Sequence, residues 1–318
     1  MTQAVTDYLG KDWIYFKEVF FKNLGSEIPL LNKINEYLFS TSGKCLRPML
    51  CLLSAHACSG AASEPAILCA AAAEMIHTAT LLHDDVADNA TVRRGKPNVM
   101  SLYSPAASVL VGDYWLASAI RTIIDDCDKR VFKSYGKCIE ELAMGEMLQM
   151  QKSDSLEMSL EDYLSIIDCK TASLFRAAMV GGAFSVDAPQ EYVDAVDSYA
   201  HHLGRAFQME DDILDYSPHL DTGKAAGNDI TEQKITLPLL GALNRASKTE
   251  CEEVVSQIRK GDIKEVLSFV ENKGGMEYAR DCFTNETALA IDALVPLPES
   301  RAKALLADLA RNLLTRNR

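Results

Sequence analysis

The chain has 318 residues, 48% of them hydrophobic, enough to bury a sizeable core as one large domain or two ordinary ones. Acidic residues outnumber basic ones 45 to 32, for a formal charge of -13, which argues against a broad nucleic-acid-binding surface and confines any phosphate site to a local patch. The nine cysteines are scattered and include no CxxC pair, which favours reduced, buried thiols in a cytosolic protein over a disulfide frame or a zinc site.

The N-terminus, MTQAVTDYLGKDW, carries Asp7 and Asp12 and has no basic stretch leading into an apolar one, so no signal peptide is expected. Helical signals dominate from there: no proline occurs in the 83 residues between Pro105 and Pro189, and alternating strand-like runs bounded by turn pairs are rare. An all-α fold is expected, with helices near 5–22, 28–40, 46–59, 64–90, 105–125, 129–151, 160–183, 190–216, 234–246, 249–259, 262–273, 275–292 and 298–316. Pro48 suits the first turn of its helix, Pro105 follows Ser104 as a first-turn proline, and Ser159 precedes Glu161 and Asp162 at another start. Gly181 and Gly182 are expected to close the helix begun there. The helices around 64–90 and 105–125 are apolar or alanine-rich on nearly every face, as central helices surrounded by others are. The longest apolar runs, Ala66 to Ala73 and Ala106 to Val111, fall short of the ~20 residues that a membrane span needs, so no transmembrane segment is expected. No repeat or linker cuts the chain, and the expectation is one domain over 1–318. The long irregular stretch Ser217 to Gln233 reads as a loop of the kind that often forms a functional lid.

Two acidic clusters stand out in this helical background. In HDDVADNATVRRG, Asp84 and Asp88 are four residues apart and share a helix face, with Asp85 about 100° round. Asp211, Asp212 and Asp215 of QMEDDILD repeat the spacing 127 residues later. Carboxylates so crowded among apolar neighbours repel one another unless cations neutralise them, and oxygen-seeking Mg²⁺ is suited to bridging a few carboxylates to substrate phosphates. Glu-x-x-His pairs do not accompany both clusters, which speaks against a di-iron bundle, and His83, His201 and His202 read as packing or surface residues rather than zinc ligands. Basic groups stand where a metal-bound diphosphate needs them. Arg93 and Arg94 fall just past the first cluster, Lys44 and Arg47 open a helix in GKCLRP, and Lys170 with Thr171, Lys224 and Lys234 complete a ring.

Taken together, GKCLRP, EMIHTATLLHDDVADNATVRRG, VLVGDYWLA, GEMLQ, KTASLF, LGRAFQMEDDILDY and TGKAAGNDITEQKITLP resemble, in order, the trans-isoprenyl diphosphate synthases of the polyprenyl synthetase family. The resemblance implies an all-α isoprenoid synthase bundle, usually a cytoplasmic homodimer, with the two acidic motifs facing each other across a central cavity. It implies that Asp84, Asp85, Asp88, Asp211, Asp212 and Asp215 hold a Mg²⁺ cluster, three ions per site, on the diphosphate of an allylic substrate. Arg93, Lys170 and Lys234 match positions that contact that diphosphate, Thr171 accompanies Lys170, Lys224 assists, and Gln208 sits beside the aspartates. Lys44, Arg47, His77 and Arg94 match positions that hold isopentenyl diphosphate. Gln233 departs from the Gly-Lys that many members carry before Thr-Leu-Pro, and the reach of Arg316 and Arg318 is open.

Product length depends on the cavity floor beneath the first cluster. Ala79 and Thr80 stand one turn before Asp84, where short-chain members carry aromatic plugs, and Ile76 and Ala73 follow deeper. A tail tracking this helix from Asp84 to Ala73 runs ~16 Å at 1.5 Å per residue. The expectation is a hexaprenyl to octaprenyl product grown from farnesyl or geranylgeranyl diphosphate, with Trp115, Leu116 and Ala119 as further lining and membrane contact on product release. A non-catalytic subunit of a heteromeric synthase, a shorter-chain geranylgeranyl synthase and a terpene cyclase are the competing readings.

Overall fold

The computed structural model of the chain describes residues 2–41, 43–217 and 227–314. In chain order the elements are α1 (Thr2–Asn23), α2 (Pro29–Ser40), α3 (Leu46–Ser59), α4 (Glu64–Ala87), β1 (Val92–Arg93), β2 (Lys96–Pro97), α5 (Val99–Leu102), α6 (Pro105–Ile124), α7 (Lys129–Ser155) and α8 (Leu160–Ile167). A π turn (Asp168–Ala172) leads into α9 (Ser173–Phe184), followed by α10 (Gln190–Asp215), α11 (Asn228–Thr231), α12 (Leu237–Leu243), α13 (Lys248–Lys260), α14 (Ile263–Asn272), α15 (Gly275–Ala293) and α16 (Arg301–Leu313). The all-α expectation holds, and most predicted helices fall within a few residues of their observed ends. The chain divides into two compact units, each gathered from three separate stretches: Met1–Ile139, Leu174–Asp197 and Val295–Leu306 in unit 1, and Glu140–Ser173, Ser198–Leu294 and Ala307–Arg318 in unit 2.

Unit 1 is built on α4. Ser63 caps its start by accepting a hydrogen bond from the Ala66 amide, a contact worth about 1 kcal/mol. Its small residues let α1, α3 and α6 approach closely, and Ala70 to Ala73 have no exposed surface. Trp115 of α6 is sealed in this core; its indole N–H donates to Asn35 at 2.8 Å, and its ring meets Phe20 edge-on at 5.7 Å. Such ring pairs add roughly 0.5–1.5 kcal/mol beyond burial. Helices α4 and α6 are long and apolar enough to cross a membrane by length and composition, although the short apolar runs pointed away from this; in the fold they pack against each other. Gly181 and Gly182 correct an expectation: they lie inside α9, not at its end. A Cβ on Gly182 would stand 2.2 Å from the Cys51 carbonyl oxygen, so these glycines permit close helix contact instead of capping.

Unit 2 packs α12 against α15, with α13 and α14 beside them. Ser159 forms the expected N-terminal cap of α8, with Asp162 returning a hydrogen bond to complete a capping box. The helix expected over 160–183 is interrupted, because the π turn inserts an extra residue at 168–172. The expected loop from Ser217 to Gln233 contains α11, and its residues 218–226, including Lys224, lie outside those described. Arg316 and Arg318 also lie outside the described residues.

Candidate functional site

The first acidic cluster forms the end of α4 in unit 1. Asp88 caps the helix with its amide donating to the Asp84 carbonyl at 2.8 Å, and the chain leaves through Asn89 at positive φ. The three carboxylates differ in exposure: Asp85 is buried, Asp84 half-buried and Asp88 exposed. Asp85 accepts from Arg93 Nε at 2.8 Å, so its charge is matched within the protein, while Asp84 and Asp88 stand on the outward side. The two arginines are not a continuation of the helix. They belong to a hairpin, β1–β2, whose two-residue turn is Arg94-Gly95, both at positive φ (53° and 73°). That turn type suits the twist of paired strands, but it holds a non-glycine in a sparsely occupied region, a feature common at ligand sites.

Arg94 reaches back to the segment before α3, where its Nη1 donates to the Thr41 carbonyl at 3.2 Å. A Cβ on Gly43 would lie 2.5 Å from Arg94 Nη2, so only glycine there lets the guanidinium lie flat on this segment. Lys44 is exposed, and Arg47 stacks with its guanidinium carbon 5.0 Å from the Phe175 ring centre. His77 sits near all three arginines. Burial first, then the charges of Arg47, Arg94 and Arg93, hold its pKa well below the usual histidine value, so the ring is neutral at pH 7. Glu74, one turn earlier and buried, is pushed the other way by its burial, against the lowering influence of Arg47, Cys45 and Arg94. Gly43, Glu74, His77, Arg93 and Arg94 line the polar side of a cavity of about 120 Å³, whose other walls include Phe16, Phe20, Phe39 and Trp115.

The residues expected to set product length occupy other positions on α4. Ala73, Ile76 and Ala79 are buried and Thr80 donates to the His77 carbonyl at 2.9 Å, whereas the cavity touches the helix at Glu74, His77, Thr78, Leu81, Leu82 and Asp85. Trp115 belongs to that cavity, and Ala119 is buried.

The second cluster forms the last turns of α10 in unit 2. Asp212 is buried and its carboxylate accepts from Gln208 Nε2 at 3.0 Å and from the Tyr163 hydroxyl at 2.7 Å. Burial dominates these contacts and, with the charge of Asp211, raises its pKa to about 6. Asp211 is exposed, and Asp215 accepts from the amides of Asn228 and Asp229 at 3.2 and 3.0 Å, anchoring α11. That places Asp229 beside the cluster. Burial, then the charges of Asp212 and Asp215, push its pKa up to about 8 against the opposing Lys234. Lys234 follows Gln233, whose φ of 56° explains why glycine is at ease in that position; its ammonium pairs with Glu232.

Lys170 and Thr171 approach from the π turn. Lys170 Nζ lies 2.6 Å from Glu146 and donates to Gln149 at 2.8 Å, while Thr171 donates to Gln208 Oε1 at 2.8 Å. A chain of hydrogen bonds therefore runs Thr171, Gln208, Asp212, Tyr163. Lys170, Gln208, Asp212, Asp229 and Lys234 line a cavity of about 140 Å³. The histidines read as packing residues have closer polar partners: His83 Nε2 lies 3.2 Å from Asp113, and His202 Nδ1 lies 2.7 Å from Glu286.

Within unit 1 the fold gathers His77, Arg47, Arg93 and Arg94, and within unit 2 it gathers Lys170, Thr171, Gln208, Asp212 and Lys234. Asp229, Tyr163, Glu146, Gln149 and Glu74 were missed. The GEMLQ motif contained Glu146 and Gln149, but their roles depend on where Lys170 lands. Among the described residues no three Asp, Glu, His or Cys side chains converge tightly enough to hold a metal alone. Carboxylate oxygens such as those of Asp212 and Asp229 suit Mg²⁺, which keeps several waters and takes the rest of its ligands from one or two carboxylates and substrate phosphates. The excess of close carboxylates, with two pKa values raised, is the electrostatic complement of such a cation.

The sequence profile of the family described as polyprenyl synthetase matches residues 28–271. The all-trans-nonaprenyl-diphosphate synthase (geranyl-diphosphate specific) of Rhodobacter capsulatus is 35% identical over 99% of this chain and 98% of its own length. The crystal structure of a decaprenyl diphosphate synthase from the same organism superposes with a TM-score of 0.95 at 34% identity, covering all of both chains. A polyprenyl synthase from Caulobacter crescentus CB15, complexed with calcium and isoprenyl diphosphate, gives a TM-score of 0.90 at 32% identity over 98% of this chain and 96% of its own.

Proposed function

The chain belongs to the polyprenyl synthetase family, and from that premise we propose that it is a long-chain trans-polyprenyl diphosphate synthase. It condenses isopentenyl diphosphate stepwise onto an allylic diphosphate primer and releases diphosphate. The observation that carries this reading is the unit 2 cavity, where buried Asp212, fixed by Gln208 and Tyr163, stands with Asp229 among Lys170 and Lys234. Carboxylates and ammonium groups lining one small space are what a metal-chelated diphosphate requires.

Asp84, Asp85, Asp88, Asp211, Asp212 and Asp215 are the residues that would hold Mg²⁺, three ions in all, with Asp229 as a further candidate. When bound, Mg²⁺ neutralises the charge that builds on the departing diphosphate. Lys170, Lys234 and Arg93, with Lys224 assisting, grip the allylic diphosphate and stabilise it as the carbon–oxygen bond ionises. Lys44, Arg47 and Arg94 hold isopentenyl diphosphate, and neutral His77 gives it a hydrogen bond without adding charge. The double bond of the second substrate attacks the allylic cation, a proton leaves to the released diphosphate, and the product is five carbons longer. Apolar helix walls keep water from the cation. Small side chains at Ala79 and Thr80 leave room for the growing tail, which would pass Ile76 and Ala73 deeper along the helix.

The chain acts as one synthase domain, as a homodimer in the cytoplasm, with membrane contact when the apolar product leaves. A non-catalytic subunit is the weaker reading, because the acidic and basic side chains of both motifs are retained. The deciding assay supplies isopentenyl diphosphate and Mg²⁺ with geranyl, farnesyl or geranylgeranyl diphosphate and weighs the products. Stepwise growth to six or more units supports the proposal. Arrest at four units assigns a geranylgeranyl synthase, a cyclic hydrocarbon assigns a cyclase, and a folded protein inert with every primer assigns the subunit.

A further inference from the structure

We propose that Arg205 is a positioning residue: by clamping Asp168 it holds the π turn of residues 168–172 in the register that presents Lys170 and Thr171 to the allylic diphosphate. This deepens the proposed function and rests on its assignment of Lys170.

A π turn carries one residue more than the α-helix it interrupts, and it persists only where its surroundings favour it. Here it lets two adjacent side chains serve different neighbours. Lys170 reaches Gln149 and Glu146 on α7, while Thr171 reaches Gln208 on α10. Relaxation to a plain α-helix would turn the preceding residues by about 100° and break that pairing. The neighbouring helices leave little space around the turn. A Cβ on Gly145 would lie 2.7 Å from Lys170 Cγ, and one on Gly204 would lie 2.6 Å from Ala172 Cα. Tight walls restrict movement, but a polar anchor is what selects the register.

That anchor is at the first residue of the turn. Arg205 Nε and Nη2 donate to the two Asp168 carboxylate oxygens at 2.7 and 2.6 Å, a bidentate pair. Arg205 is held from behind: its Nη1 lies 3.5 Å from Glu286, whose other oxygen lies 2.7 Å from His202. The Arg205 side chain is 18% exposed and that of Glu286 11%, so the group is more shielded from solvent than an ordinary surface pair. Arg205 and Gln208 are three residues apart on α10 and share a face, so one helix holds both the start of the turn and Thr171. Arg205 does not line the cavity and acts through Asp168.

The test compares Arg205→Ala, Arg205→Lys and Asp168→Asn with the unaltered chain. The expected result is a KM for the allylic diphosphate raised roughly tenfold or more in Arg205→Ala, with the KM for isopentenyl diphosphate within about twofold. Arg205→Lys keeps the charge but not the fork and falls between. Amide hydrogen exchange across 168–175 should quicken in Arg205→Ala and stay unchanged in α12 and α15. An unchanged allylic KM, or equal rises for both substrates, overturns the proposal, as does unaltered exchange across the turn. If Arg205→Ala does not fold, Asp168→Asn decides by the same readings. The exchange measurement needs no turnover, so an inert enzyme would sink the functional reading without deciding this one.

Discussion

At the scale of single residues, each acidic cluster holds one buried carboxylate fixed by protein partners, while Asp88 and Asp211 are exposed. Asp85 is tied to Arg93, and Asp212 to Gln208 and Tyr163. Asp84→Ala should lower turnover by roughly 10³-fold or more while the circular-dichroism melt stays near that of the parent; near-normal rates would remove Asp84 from the metal site. Asp212 and Asp229 give a pH signature. Their folded pKa values, about 6 and about 8, lie above the 3.8 of an ordinary aspartate, so the folded state binds more protons than the unfolded one across that window. Stability of the metal-free protein should therefore be highest at the acid end of the window and fall as pH rises towards 8. Thermal melts without divalent cations should show a higher Tm at pH 6 than at pH 8.5, and Mg²⁺ with diphosphate should narrow the gap. A metal-free Tm that rises over this interval would contradict the carboxylate assignment.

At the scale of elements, the helices were readable because their apolar spacing and caps are local. Ser63, Ser104 and Ser159 each accept the hydrogen bond that begins a helix, as serine before a proline or an acidic turn suggests. The features that were not readable depend on distant partners or on brevity. The π turn is held by side chains from α7 and α10, nothing in IIDCKTASLF marks it, and α11 has only four residues. Asp229 was hidden for that reason, since its place beside Asp212 exists only once Asp215 has capped α11. Arg94 was read from the sequence as a basic ligand, but its hairpin was not read, although Arg-Gly at the turn was a faint clue. Two predictions belong here. Gly43→Ala should push the Arg94 guanidinium off its resting place and raise the KM for isopentenyl diphosphate severalfold with kcat little changed; steady-state kinetics with each substrate varied would detect it, and an unchanged KM would mean that Arg94 finds another route. Ala79→Tyr should shorten the product, read by mass; an unchanged length distribution would mean that the tail does not pass Ala79.

At the scale of the whole molecule, the all-α fold was legible from composition and spacing, whereas the gathering of separate stretches into two units was not, because no linker marks the boundary. The chain passes between the units inside α7, α9, α10 and α16, and once more just after α15. Continuous helices of this kind should make unfolding cooperative, so calorimetry is expected to show one transition, and two resolved peaks would identify separate domains. The sealed indole of Trp115 has an optical consequence. The chain has two tryptophans, Trp13 and Trp115, both buried in unit 1, and Trp115 lines the aromatic cavity beside His77 and Arg94. Intrinsic fluorescence excited at the indole band thus comes from one half of the enzyme, and a spectral change on adding a single substrate reports which diphosphate has disturbed that half.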